Sequence, residues 1–203
     1  MDAIVEKALA KWPNVPHCYG WLALDARGNW RMRNEQAQLA NLPGEKIVHS
    51  ALIAFIQRNY THDEQGHWYF QNGPQRVYVD LEATPYIAHT KLTHDAAFAC
   101  VLQTGSAMPE LQSVWLSDQG RMYLQAEAHI ALLDDRDLAQ CLNALQLDDQ
   151  PVTDARLMDW LEQHGAHTSL SMQYAGKKIS VGYIEENAIA GQFNFVRKPR
   201  PSN

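Results

Sequence analysis

Three short segments share one pattern, and that pattern restricts the fold more than any other feature of the chain. They are Ala26-Arg27-Gly28-Asn29-Trp30-Arg31-Met32, Glu64-Gln65-Gly66-His67-Trp68-Tyr69-Phe70 and Asp118-Gln119-Gly120-Arg121-Met122-Tyr123-Leu124. Each runs as a mainly polar pair, Gly, a polar residue, a large apolar residue, a long side chain and a second large apolar residue. Glycine supplies the positive φ that a tight hairpin turn demands, and the alternating residues around it mark strands. The large residue two positions after each Gly is expected on a packed sheet face.

Between these turns the spacing becomes helical. Ile4, Val5, Ala8, Leu9 and Trp12 form a stripe behind a capping Asp2, ended by Pro13 and Pro16. Ile47, Val48, Ala51, Leu52, Phe55 and Ile56 form a second stripe. Gly73-Pro74 turns the chain into a strand over 76–81. Further on, 98–102 reads as a strand, and Asp134 or Asp135 caps a helix bearing Leu138, Cys141, Leu142 and Leu145. Thr153 caps another helix that stops at Gly165. Segments 169–174 and 179–184 form a further hairpin, and a last strand is expected near 192–196.

The sum is an α+β fold of antiparallel β-hairpins with short amphipathic helices. Both halves run hairpin, linker, helix, hairpin, which points to two lobes, 1–90 and 91–203, arising by internal duplication. Hairpins of this kind also recur without duplication, and one continuous domain is the alternative.

Composition narrows the partners. With 46% hydrophobic and 20% charged residues, the chain can bury a core and is not of disordered type. A formal charge of -6 argues against nucleic acid or an anionic membrane. The basic tail Arg197-Lys198-Pro199-Arg200-Pro201 reads as a solvated end. The first residues carry acids where an export signal has a basic flank, and no uninterrupted apolar span approaches ~18 residues. Cys18, Cys100 and Cys141 are odd in number and widely spaced, as suits a reducing cytoplasm.

The segment from Arg58 to Asp80 is densest in ligand-recognising groups. Arg58 and Arg76 can each fork onto a carboxylate or phosphate, and Asn72 and Gln75 can add amide hydrogen bonds. Trp68, Tyr69 and Tyr78 can offer stacking faces. The competing reading is that Asn72-Gly73-Pro74 is only a turn and that the arginines pair with nearby acids. On the first reading, Arg58, Trp68, Asn72, Gln75 and Arg76 are the expected site of a ligand-binding or regulatory module for a small anionic ligand or a protein segment, with no catalytic residue and no cofactor assigned.

Other constellations favour plainer explanations. Nine histidines include His62 and His67 around one turn, His89 and His94 flanking a loop, and His164 and His167 around Gly165. None has the spacing of a zinc site, so no metal is assigned. His17 and Cys18 are adjacent in an extended segment and project to opposite faces. The acids Asp134, Asp135 and Asp137 fit helix capping. No phosphate-binding glycine loop is present. An enzyme remains the alternative, with His62, Asp63 or His67 converging on Asp95 or Asp118, and a scaffold offering an exposed strand is a third.

The residues Arg58-Asn59-Tyr60, then Trp68-Tyr69-Phe70-Gln71-Asn72-Gly73-Pro74-Gln75-Arg76-Val77-Tyr78-Val79, and Thr84-Pro85-Tyr86 resemble a proteobacterial family known only as a domain of unknown function. That resemblance implies no activity, cofactor or site residue. The order of an Asp-x-x-Gly-x-Trp hairpin, a helix and a Gly-bearing hairpin is similar to a second bacterial family of repeated hairpin-and-helix units, which implies a role in ligand sensing or signalling. The second half departs from it, with Met122 in place of Trp and an added helix.

Overall fold

The three glycine turns form with one shared set of hydrogen bonds. In each, the first residue's N–H donates to the carbonyl four residues ahead, and the glycine N–H donates back to the first residue's carbonyl. Asp25, Asp63 and Ser117 open the turns, and the bonds span 2.9–3.1 Å. The opening side chain then accepts two more backbone N–H groups: Asp25 from Arg27 and Asn29, Asp63 from Gln65 and His67, Ser117 from Gln119 and Arg121. Gly28, Gly66 and Gly120 have φ of 77°, 77° and 70°, which an L side chain adopts only with strain. Trp30, Trp68 and Met122, two residues later, are all buried.

The structure, a computed structural model, describes residues 1–93, 98–127 and 129–201. It contains two compact units: Met1–Pro85 with the tail from Asn194, and Tyr86–Phe193. In sequence, the second unit is thus an insertion within the first. The expected 90/91 boundary falls inside the strand Tyr86–Leu92.

Unit 1 comprises α1 (Ala3–Lys11), β1 (Cys18–Leu24), β2 (Trp30–Met32), α2 (Glu35–Leu39), β3 (Glu45–Lys46), α3 (Ser50–Arg58), β4 (Tyr60–His62), β5 (Trp68–Asn72) and β6 (Gln75–Leu81). Its sheet runs β3-β2-β1-β6-β5-β4. Neighbours are antiparallel except β1 and β6, which pair in parallel with Leu22 opposite Val79 and Ala23 opposite Asp80. Alternation sends Leu22, Leu24, Trp30, Phe70, Val79 and Leu81 to one face, where all are buried. There α3 supplies Ile56 and Phe55, the latter edge-on to Phe70 at 5.4 Å. The opposite face carries Arg31, Tyr69, Gln71, Arg76, Tyr78 and Asp80, an unusually polar set for a sheet interior.

Unit 2 comprises β7 (Tyr86–Leu92), β8 (Phe98–Leu102), β9 (Ser113–Ser117), β10 (Met122–Ala126), β11 (His129–Leu133), α4 (Leu138–Leu142), β12 (Leu145–Leu147), β13 (Gln150–Pro151), α5 (Asp154–Glu162), β14 (Leu170–Tyr174), β15 (Lys177–Ile184) and α6 (Ile189–Gln192). Its order is β13-β12-β14-β15-β9-β10-β11-β7-β8. The run β10-β9-β15-β14-β12 repeats the unit 1 run β2-β1-β6-β5-β4, including a parallel pair, β9 with β15, at the matching place. A third parallel pair joins β11 and β7.

Several local expectations are corrected. Asp2 makes no side-chain cap and instead ion-pairs with Arg58. Ile4, Trp12 and Val48 are exposed, because only Val5 of α1 is buried and α3 begins at Ser50, beyond Val48. The expected strand near 192–196 is the end of α6 followed by irregular chain. The basic tail is not a solvated end. Phe195 and Pro199 are buried, the Arg197 carbonyl accepts from the Leu81 N–H at 2.7 Å, and Arg200 ion-pairs with Asp80 at 2.7 Å. The hairpins themselves are antiparallel as expected, and β1–β6, β7–β11 and β9–β15 add parallel pairs between strands distant in sequence. Among the described residues no helix is long and apolar enough to cross a membrane.

Candidate functional site

The polar face of the unit 1 sheet is organised by Asp63 and Asp25, the carboxylates that open its two glycine turns. While one oxygen of Asp63 holds the turn, the other meets His67 Nδ1 at 3.2 Å and accepts from the Tyr78 hydroxyl at 3.2 Å. Burial by itself would raise the Asp63 carboxyl. The His67 backbone N–H, the charge of His67, the Gln65 N–H and the Tyr78 hydroxyl outweigh it and hold the carboxyl below its ordinary value. Cross-strand pairing places Tyr69 beside Tyr78, and Tyr19 of β1 stacks on Tyr78 with centroids 4.6 Å apart and planes 6° from parallel. His17 and His67 meet the Tyr78 ring edge-on at 5.7 and 5.9 Å.

Arg76 lies over this aromatic floor, its guanidinium carbon 4.6 Å from the Tyr69 centroid. Burial acts to lower its pKa, but the Tyr78 hydroxyl and the neighbouring Tyr69 raise it further, so the group stays charged. Burial likewise raises the Tyr69 and Tyr78 hydroxyls above the ordinary tyrosine value. Arg76 makes no ion pair among the described residues. Arg31, Arg33, Arg58, Arg121, Arg136 and Arg200 each have a carboxylate partner at 2.6–3.2 Å.

The structure separates the residues expected to form the site. Gln75 and Arg76 begin β6, and Gln75 Nε2 donates to Pro16 O at 3.0 Å, tying down the segment that carries His17. Asn72 is exposed at the end of β5. Arg58 ends α3 and is engaged by Asp2. Trp68 is 7% exposed, on the other sheet face from Tyr69, against Tyr60 and His62. As a stacking surface Trp68 is therefore replaced by Tyr69, Tyr78 and Tyr19. Tyr19 and His17 were missed because nothing local in the sequence announces that β1 lies parallel beside β6.

On the same face, Asp25 bonds Arg31 at 2.7 Å, and Asp80, 4% exposed, takes both Arg33 at 2.6 Å and Arg200 at 2.7 Å. A cavity of about 260 Å³ opens beside these pairs, with apolar walls from Ala23, Leu24, Leu42, Pro43 and Leu81.

The histidine constellations resolve differently. His62 Nδ1 meets the Asp63 carbonyl, His89 faces Asp134 at 3.4 Å, and His164 stacks on Tyr183. Asp118 accepts from the Glu186 N–H within unit 2. His94 and Asp95 lie outside the described residues. Among the described residues no group of three or more His, Cys, Asp or Glu side chains could hold a metal ion.

Fold and geometry together define an α+β protein of two hairpin-built sheets, one with a charged aromatic face. The chain belongs to a family of proteins of unknown function: the DUF2944 model, described as protein of unknown function (DUF2946), matches residues 1–200. No curated protein matches the chain. A DUF1285 family protein from Silicibacter pomeroyi DSS-3 is similar in structure, with a TM-score of 0.51 at 12% identity over 90% of this chain and 96% of that one. A DUF1285 family protein from Shewanella baltica OS155 gives a TM-score of 0.41 at 13% identity over 59% of this chain and 88% of that one. The first likeness shows the fold alone.

Proposed function

We propose that this protein is a non-catalytic, cytoplasmic ligand-binding or regulatory module. Its site is the polar sheet face around Arg76, and its ligand is a small molecule bearing a carboxylate or phosphate. One observation carries the reading. Arg76 is a charged guanidinium fixed by Tyr69 and Tyr78; among the described residues no carboxylate takes its hydrogen bonds, and Asp63 acts on it only through space, whereas six other arginines are ion-paired within the protein. A preorganised cation of this kind binds planar anions through paired N–H groups. Three free cysteines, two of them buried, support the cytoplasmic part of the reading.

The His67–Asp63 pair is the feature that favours an enzyme, since it resembles a base held by a carboxylate. Yet no Ser, Thr or Cys hydrogen-bonds to the His67 ring among the described residues, and the nearby tyrosines are held protonated by burial. A binding site needs no nucleophile.

The test is a thermal-shift screen of anionic metabolites, because ligands selective for the folded form raise Tm. Hits are then titrated calorimetrically against Arg76→Ala and Arg58→Ala. A charge-assisted hydrogen bond of about 1.5–3 kcal/mol predicts a loss of roughly tenfold to a hundredfold for Arg76→Ala and little change for Arg58→Ala. An anionic ligand that binds Arg76→Ala as tightly as the wild type refutes the assignment.

A further inference from the structure

The cavity beside Asp80 is distinct in its chemistry from the Arg76 surface. Its interior charges are already matched: Arg31 by Asp25, and Asp80 by Arg33 and Arg200. Two exposed lining groups of opposite sign have no ionic partner among the described residues. There Lys198 Nζ meets only Asn41 Oδ1, at 3.4 Å, and the Glu82 carboxylate accepts only the Ala26 N–H, at 3.0 Å. An apolar wall therefore carries one available cation and one available carboxylate.

Unit 2 shows how the same position looks when closed. In unit 1, Ala23 stands opposite Asp80 across the parallel pair; in unit 2, Trp115 stands opposite Gly182 in the corresponding pair. The matching turns put Ala23 two residues before Asp25 and Trp115 two before Ser117. The Trp115 ring fills the space over Gly182, where an added Cβ would lie 2.8 Å from it. At the corresponding place in unit 1 the side chain is a single methyl group, and the cavity opens there.

We propose that this cavity binds a small apolar zwitterion, an aliphatic α-amino acid. Its carboxylate meets Lys198, its ammonium meets Glu82, and its side chain lies against Leu42, Pro43 and Ala23. The volume of about 260 Å³ falls below the roughly 300–1,000 Å³ of pockets for drug-sized ligands, which suits a ligand of this size. The opposed free charges explain why a zwitterion is preferred over a simple anion or amine: each singly charged analogue leaves one of them without a partner.

The experiment measures thermal shift and calorimetric binding of L-leucine, L-valine and L-methionine to the full chain. Two leucine analogues serve as comparisons: 4-methylpentanoate, which lacks the amine, and isopentylamine, which lacks the carboxylate. At least one of the amino acids is expected to bind, at least tenfold tighter than its analogues, an advantage of about one charge-assisted bond. Glu82→Gln and Lys198→Ala, both at exposed positions, each weaken that binding about tenfold, while Arg76→Ala leaves it unchanged. No binding by any of the three at millimolar concentration overturns the proposal, as does a singly charged analogue that binds as well as leucine. So does binding lost in Arg76→Ala but intact in Glu82→Gln and Lys198→Ala, which assigns the ligand to the Arg76 surface instead.

Discussion

Asp63 shows how one residue can serve both the fold and the site. One of its oxygens closes the turn at Gly66 and the other fixes His67 and Tyr78. Because its folded pKa is depressed, it contributes stability above the unfolded value of about 3.9, and that contribution is lost as pH falls through the folded value. Asp63→Ala is expected to cost about 1–2 kcal/mol at pH 7, with the gap from wild type narrowing below about pH 4; urea unfolding at both pH values checks it. The cysteines offer a second reading at this scale. Burial pushes the thiols of Cys100 and Cys141 up to about 11 and about 12, and Cys18 is raised less and is half-buried. At pH near 8, where a free thiol begins to ionise, a thiol reagent should label Cys18 alone and reach the others only in denaturant, as peptide mapping would show. Arg76 was legible as a candidate from its aromatic neighbours, whereas Trp68 was ambiguous until its sheet face was known.

At the scale of elements, the turns are legible because their bonds reach only four residues along the chain. What surrounds them is not local. A Cβ at Gly66 would lie 2.2 Å from the Asn194 carbonyl oxygen, while one at Gly120 meets nothing within 4 Å among the described residues. Gly120→Ala should therefore cost about 1–2 kcal/mol from backbone strain alone, and Gly66→Ala about 3 kcal/mol or more. Chemical denaturation of the two variants side by side separates these values, and equal losses would contradict the close approach of the tail. The helices were legible in position more than in orientation. Thr153 and Gly165 bound α5 as the sequence suggests, but the apolar stripe of α1 leaves Ile4 exposed, because a helical period fixes which residues share a face and not whether a partner covers that face.

For the whole molecule, the return of the tail matters most. Residues from Asn194 complete unit 1: Phe195 is buried, Val196 bonds Gly66 O, and Arg197 O takes the Leu81 N–H. Ending the chain at Phe193 removes the buried Phe, worth about 1.5–3 kcal/mol, and two backbone hydrogen bonds of about 1 kcal/mol each. The expected result is a fall in Tm of roughly 10 °C at about 2–4 °C per kcal/mol, measurable by scanning calorimetry. The half-exposed Arg200 pair adds little to this sum.

The amino-acid sequence by itself determined the hairpins, their glycine turns, the Thr153 cap of α5 and an α+β character, because each depends on φ preferences, alternation and hydrogen bonds between near neighbours. Tertiary structure decided the parallel pairing of β1 with β6, the inclusion of the C-terminal tail in unit 1, and the meeting of Tyr19, Arg76 and Tyr78 on one face. Those arrangements join residues such as Leu22 and Val79, or Asp80 and Arg200, that no local preference links. They follow from burying the apolar sheet face as a whole, and that burial selects a partner strand without leaving a mark at any one position in the chain.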